Sequence, residues 1–327
     1  MRTTLKCLLL LAALAAATGA LTARSLTRRA AALYPEPPPP DWEAVSLTAE
    51  DGLRLGGWLR RGDAGAPCVL ALHGNGSSRT GLRAVLDVLS EDGTCVLALS
   101  LRAHGDSEGE VNDFGWSATR DVRAGLAFLR RELPERRRLI YGTSLGAATA
   151  LYAAKDTGTD VDGYALESPY RDLETAVRNR LRMRLGIVEP LAFITLWPWG
   201  TLTLPVEPAL LRPVDAVRGV PESVPLLLLA GESDLHATPE EAAAIAANAP
   251  GPRGWSASRT RPTAGSRPAT PRATGPSCAP SSPGRTEPRT GREASPWRWL
   301  LPLPAPRAAK RAKPGQQAAV QRPKSVA

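Results

Sequence analysis

The stretch from Leu139 to Leu151, LIYGTSLGAATAL, constrains this chain more than any other. A short apolar run meets Gly142-Thr143-Ser144-Leu145-Gly146, and an alanine-rich helical stretch follows. Strand, turn and helix in that order are the context that a G-x-S-x-G nucleophile elbow requires. The two glycines leave room beside Ser144, so its hydroxyl can stand clear of the sheet edge. The following helix aims its first N–H groups at the same place, a site suited to developing negative charge.

The surrounding pattern repeats the theme. Trp42 to Thr48 and Leu53 to Leu59 alternate around Asp51-Gly52, which predicts a hairpin. Cys68 to Leu72 and Cys95 to Leu99 are continuous apolar runs suited to strands buried on both faces. They end in His73-Gly74-Asn75-Gly76 and in Arg102-Ala103-His104-Gly105-Asp106-Ser107. Helical stretches over Thr80 to Ser90 and Thr119 to Leu133 lie between strands, and Val161 to Leu166 and Val224 to Ala230 supply further strands. Alternation of strand and helix predicts an α/β fold with a mostly parallel sheet covered by helices on both faces. In such sheets functional groups collect at the carboxyl ends of the strands, where His73, His104, Ser144, Glu167 and Asp234 all fall.

Two sections stand outside that core. Residues 1–23 carry Arg2 and Lys6, then an uncharged apolar run of 17 residues from Cys7 to Ala23. That length fits either an N-terminal membrane anchor or a signal peptide, and both bring the chain to a membrane, anchored there or secreted. Residues 24–41 read as a linker whose run from Pro35 to Pro40 is a stiff spacer. Residues 251–327 hold 15 Lys and Arg against 2 Asp and Glu, and 14 prolines. The net charge of +9 therefore belongs to this tail, since residues 1–250 net −4, and it is no argument for a nucleic-acid partner. The tail reads as disordered, no final strand or helix can be drawn in it, and the sheet is expected to lack both.

The region 174–220 is a candidate cap. It is basic at Arg178, Arg180, Arg182 and Arg184, then apolar from Leu191 to Trp199, and it reads either as an acyl or alcohol pocket or as core packing. Four cysteines show no metal-ligand or redox spacing, so no metal and no cofactor are expected. Cys68 and Cys95 lie level on two predicted strands and read as buried apolar packing, with a disulfide as the alternative.

These motifs resemble the α/β-hydrolase superfamily over residues 42–250, in particular its small membrane-anchored or exported serine hydrolases of esterase, lipase or peptidase type. The Asp-Gly hairpin, His-Gly-x-Gly loop, Arg-x-His-Gly-x-Ser loop, elbow and Gly-x-x-Asp turn come in that order. The resemblance implies that Ser144 is the nucleophile and Asp234 the acid. It implies an oxyanion hole from the N–H of Leu145 with that of Asn75 or Gly74, supported by His73, Gly142 and Gly146. The substrate would be a small-molecule ester or related acyl compound, cleaved by acyl transfer to the serine.

The superfamily also requires a histidine roughly 20 to 35 residues beyond the acid. The chain has three histidines, His73, His104 and His236, and none stands there. His236 as the base and Glu167 as a substitute acid are alternatives. A one-base shift of reading frame at Gly254–Trp255, with G or C in third positions, permits VVRVPDAAHGGLA. That is a strand and a His-Gly, with the histidine across Pro262 and Thr263, 29 residues past Asp234. The chain as written is thus expected to be an impaired serine hydrolase. The rival is a non-catalytic, membrane-held binding protein on the same fold.

Overall fold

The computed structural model describes residues 2–29, 33–91, 93–251 and 253–258. Eight strands form one sheet: β1 (Glu43–Thr48), β2 (Arg54–Arg60), β3 (Cys68–Leu72), β4 (Cys95–Leu99), β5 (Arg138–Thr143), β6 (Gly163–Glu167), β7 (Leu226–Gly231) and β8 (Arg253–Ser258). Their order across the sheet is β1-β2-β4-β3-β5-β6-β7-β8. The first hairpin is antiparallel, β2 meets β4 antiparallel, and every later pairing is parallel. The helices are α1 (Arg2–Leu26), α2 (Arg83–Glu91), α3 (Thr119–Glu132), α4 (Leu145–Thr157), α5 (Leu173–Leu185), α6 (Glu189–Thr203), α7 (Pro213–Ala216) and α8 (Pro239–Asn248).

Every residue of β3 and β4 is buried. Successive side chains point to opposite faces, so both faces of the sheet are covered, which only helices packed on each side achieve. The core joins Leu70, Leu72, Leu97 and Leu99 of these strands to Leu126 and Leu129 of α3 and to Ala147, Ala150 and Leu151 of α4. Small residues on α4 let that helix lie close against the sheet, which sets its first turn directly over the end of β5.

Three features depart from expectation. A final strand does exist: β8 pairs parallel with β7 from Leu226↔Arg253 to Gly231↔Ser258. Its residues, RGWSAS, lack the apolar pattern of the inner strands, because an edge strand is held by backbone pairing as much as by burial. The expected lack of a final helix concerns residues that lie outside the described ones. Cys68 and Cys95 are in register on neighbouring strands, buried, and joined as a disulfide rather than merely packed.

The linker, third, is docked. Arg28 bridges to Val111, and Arg29 donates to the carbonyls of Gly105, Ser107 and Gly109. Glu36, between two prolines, is buried and forms an ion pair with Arg79 at 2.9 Å. Ser78 and Ser100 hydroxyls donate to the same carboxylate. Arg79 also holds Asp106 and lies over the Trp58 ring, 5.0 Å from its centroid. A buried charge is tolerable only when paired and hydrogen-bonded in this way.

Candidate active site

Ser144 sits at the tip of the turn between β5 and α4 with φ 50° and ψ −106°. A non-glycine residue there is strained, and such strain persists only where the surroundings enforce it. The surroundings are visible. A Cβ on Gly142 would lie 2.6 Å from the backbone carbon of Gly146, and one on Gly146 would lie 2.4 Å from the carbonyl oxygen of Leu72. The two motif glycines are therefore required by close approach of backbone, not by their dihedral angles. The Ser144 N–H donates to the Glu167 carbonyl at 2.8 Å, which ties the elbow to the end of β6. Leu145 is buried and opens α4, so its N–H is among those that no helical carbonyl can satisfy.

The loop after β3 runs beside the elbow. A Cβ on Gly74 would stand 3.7 Å from the Ser144 Cβ. His73 is fully buried; its Nε2 accepts from the Leu101 N–H at 2.9 Å, so its Nδ1 donates to the Gly74 carbonyl at 2.8 Å. His104 repeats the arrangement, with Nε2 accepting from the Gly76 N–H at 3.3 Å and Nδ1 donating to the Arg102 carbonyl at 2.9 Å. The two rings meet edge to face with centroids 5.0 Å apart. Burial first, then the neighbouring His104, pushes the His73 imidazole down to about 3. Burial lowers His104 as well. Both are neutral braces of this loop, with both ring nitrogens occupied. Asn75 at its tip is exposed and accepts at its side-chain oxygen from Asn112 Nδ2 at 2.7 Å.

Asp234 lies beyond the carboxyl end of β7. One carboxylate oxygen accepts from the backbone N–H of His236 at 2.8 Å and of Ala237 at 3.2 Å, and the other accepts from the Ser168 hydroxyl at 2.7 Å. Ser168, after β6, has φ 49°. The Glu167 carboxylate accepts from the Tyr141 hydroxyl, and burial, with Asp234 nearby, raises its affinity for a proton. His236 thus meets Asp234 through its backbone, not through its ring. Ser168, Tyr141 and Asn112 carry no motif that would have singled them out, although Ser168 directly follows the strand end at Glu167.

The strand order, the elbow and the loop beside it define the α/β-hydrolase fold, and the chain is similar to proteins of the α/β-hydrolase superfamily. Residues 65–208 match the family described as serine aminopeptidase, S33. An uncharacterized protein of Mycobacterium tuberculosis is 30% identical over 196 residues, which is 58% of this chain and 61% of that one. An uncharacterized membrane protein of Saccharomyces cerevisiae is 26% identical over 137 residues, 42% of this chain and 48% of that one. The alpha/beta hydrolase domain-containing protein WAV2 of Arabidopsis thaliana is 24% identical over 206 residues, 59% and 62% of the two chains. The chain thus spans about three fifths or less of the length of these relatives. Among solved structures, the Pyrococcus furiosus esterase Pf2001 superposes with a TM-score of 0.56 at 23% identity, over 69% of this chain and 88% of that one. An alpha-beta hydrolase of Vibrio vulnificus gives 0.51 at 24% identity, over 66% and 74%.

Proposed function

We propose that the protein is a serine hydrolase of ester or related acyl substrates, held at a membrane by α1, with Ser144 as nucleophile. The observation that carries this is the strained Ser144 backbone, enforced by Gly142 and Gly146 beside the Gly74 loop. In this reading the Ser144 hydroxyl attacks the substrate carbonyl. The oxyanion is received by the N–H of Leu145 and that of Asn75 or Gly74, and Asp234 orients the base. The neighbouring esterase structure and the yeast relative described as a membrane protein support the class and the location.

The base is the incomplete part. His73 and His104 are committed to the loop, and among the described residues the Asp234 carboxylate accepts from the Ser168 hydroxyl and from the backbone N–H groups of His236 and Ala237. We therefore propose that the histidine belongs to the shifted frame beginning at Gly254–Trp255. Resequencing the coding DNA across codons 245 to 285 tests this. A single-base difference restoring the His-Gly supports a working triad. An unchanged sequence favours the second reading, a non-catalytic binding protein on the same fold, which the Ser168–Asp234 contact already suits.

A further inference from the structure

We propose that α6 lies in the lipid bilayer beside α1, so that the cap of this enzyme is built into one leaflet and not suspended in water. The proposal rests on the reading of α1 as a membrane helix and extends it to a second element. At 25 residues, or about 37 Å, α1 is long enough to cross a hydrocarbon core of about 30 Å. Its Leu9, Leu10, Leu11, Leu14 and Leu21 are each 61–70% exposed.

The two cap helices fold back on one another. The Arg178 guanidinium of α5 lies 3.6 Å from the ring centroid of Phe193 in α6 and forms an ion pair with Glu189 at 3.0 Å. The apolar stretch from Leu173 to Thr203 is therefore not one span. With 15 residues, α6 is about 22 Å long, too short to cross a membrane alone.

Yet α6 has three distinct faces. Phe193, Leu196 and Trp197 point inward; the first two are buried, and Trp197 packs on the cluster around Tyr152 and Tyr170. Thr195 and Trp199 face α1, where a Cβ on Gly19 would lie 2.3 Å from the Thr195 carbonyl oxygen and 2.7 Å from Trp199 Cδ1. That is the small-residue, close-backbone contact that helices use inside membranes. Leu191, Ile194 and Leu202 face outward at 63%, 64% and 75% exposure, and Ile187 in the preceding turn is 98% exposed. After Glu189, which is buried and paired, α6 carries no charge. An outward apolar stripe of this kind needs an occupant. The stripe adjoins the α1 contact, so the lipid that surrounds α1 reaches α6 without a break. Arg182 and Arg184, exposed in the last turn of α5, stand beside Ile187 where they suit anionic headgroups.

The test uses the full chain in phosphatidylcholine vesicles containing phosphatidylglycerol, with Cys7→Ser and Cys278→Ser so that neither cysteine outside the Cys68–Cys95 disulfide takes the label. An environment-sensitive fluorophore is attached at Ile187→Cys, Leu191→Cys, Ile194→Cys or Leu202→Cys. Leu10→Cys reports on α1, and Val88→Cys on α2 is the aqueous control. Spin-labelled lipids are expected to quench the four α5–α6 probes strongly, with blue-shifted emission, while the Val88 probe is unaffected. Unquenched α6 probes overturn the proposal whatever the Leu10 probe does. The Leu10 probe separately decides whether α1 itself is in lipid, so the two readings fail distinguishably.

Discussion

Ser144 holds a backbone conformation that its side chain disfavours, and the cost is recoverable. Ser144→Gly is expected to raise stability by about 1 kcal/mol while removing the proposed nucleophile, read by chemical denaturation. His73 makes a second prediction through its depressed proton affinity. Below pH 6.5 the unfolded chain takes up a proton that native His73 refuses until about pH 3, so its contribution is present above 6.5 and declines as the pH falls. The stability advantage of wild type over His73→Asn should therefore shrink by up to about 1.4 kcal/mol per pH unit between 6.5 and 4.5. Because Asp121, raised to about 6 by burial, shifts stability the opposite way, the variant comparison rather than the raw curve isolates His73. An unchanged difference over that range would show that the imidazole titrates normally.

At the scale of elements, the elbow is fixed by backbone proximity. Gly146→Ala would drive a methyl group into the Leu72 carbonyl and is expected to cost about 3 kcal/mol or prevent folding, measured by urea unfolding. The β3–β4 disulfide closes a loop over a separation of 27 residues, so its reduction should cost about 3–4 kcal/mol by the loop-entropy argument. A melting temperature unmoved by reductant would contradict that. What could be read beforehand follows the same physics. The inner strands and the elbow were legible because burial on both faces imposes continuous apolar runs and because two glycines mark the turn. β8 was not, since its backbone pairing leaves no apolar signature in RGWSAS. Nor was the docking of the linker. A glutamate between prolines reads as solvated until Arg79, distant in sequence, supplies its partner. The roles proposed for Ser144 and Asp234 could be read from motif and order, whereas the Ser168 contact at Asp234 arises only when β6 and β7 lie side by side.

For the whole molecule, the leader, the linker and the hydrolase fold form one connected structure. The Asn112 backbone N–H donates to the Thr27 carbonyl at 2.9 Å, while its side-chain amide donates to the Asn75 side-chain oxygen at 2.7 Å. Thr27, directly after α1, is thus two hydrogen bonds from the loop proposed to bind the oxyanion, so on the proposed reading of α1 the fold would hold one orientation relative to a membrane. The most direct test of the account is fluorophosphonate labelling of membranes carrying the full chain, its frame-shifted form, and Ser144→Ala of each. The account predicts strong labelling of the frame-shifted form that Ser144→Ala abolishes, and labelling of the chain as written weaker by about three orders of magnitude or more. A frame-shifted form that stays unlabelled, or labelling that survives Ser144→Ala, would contradict it.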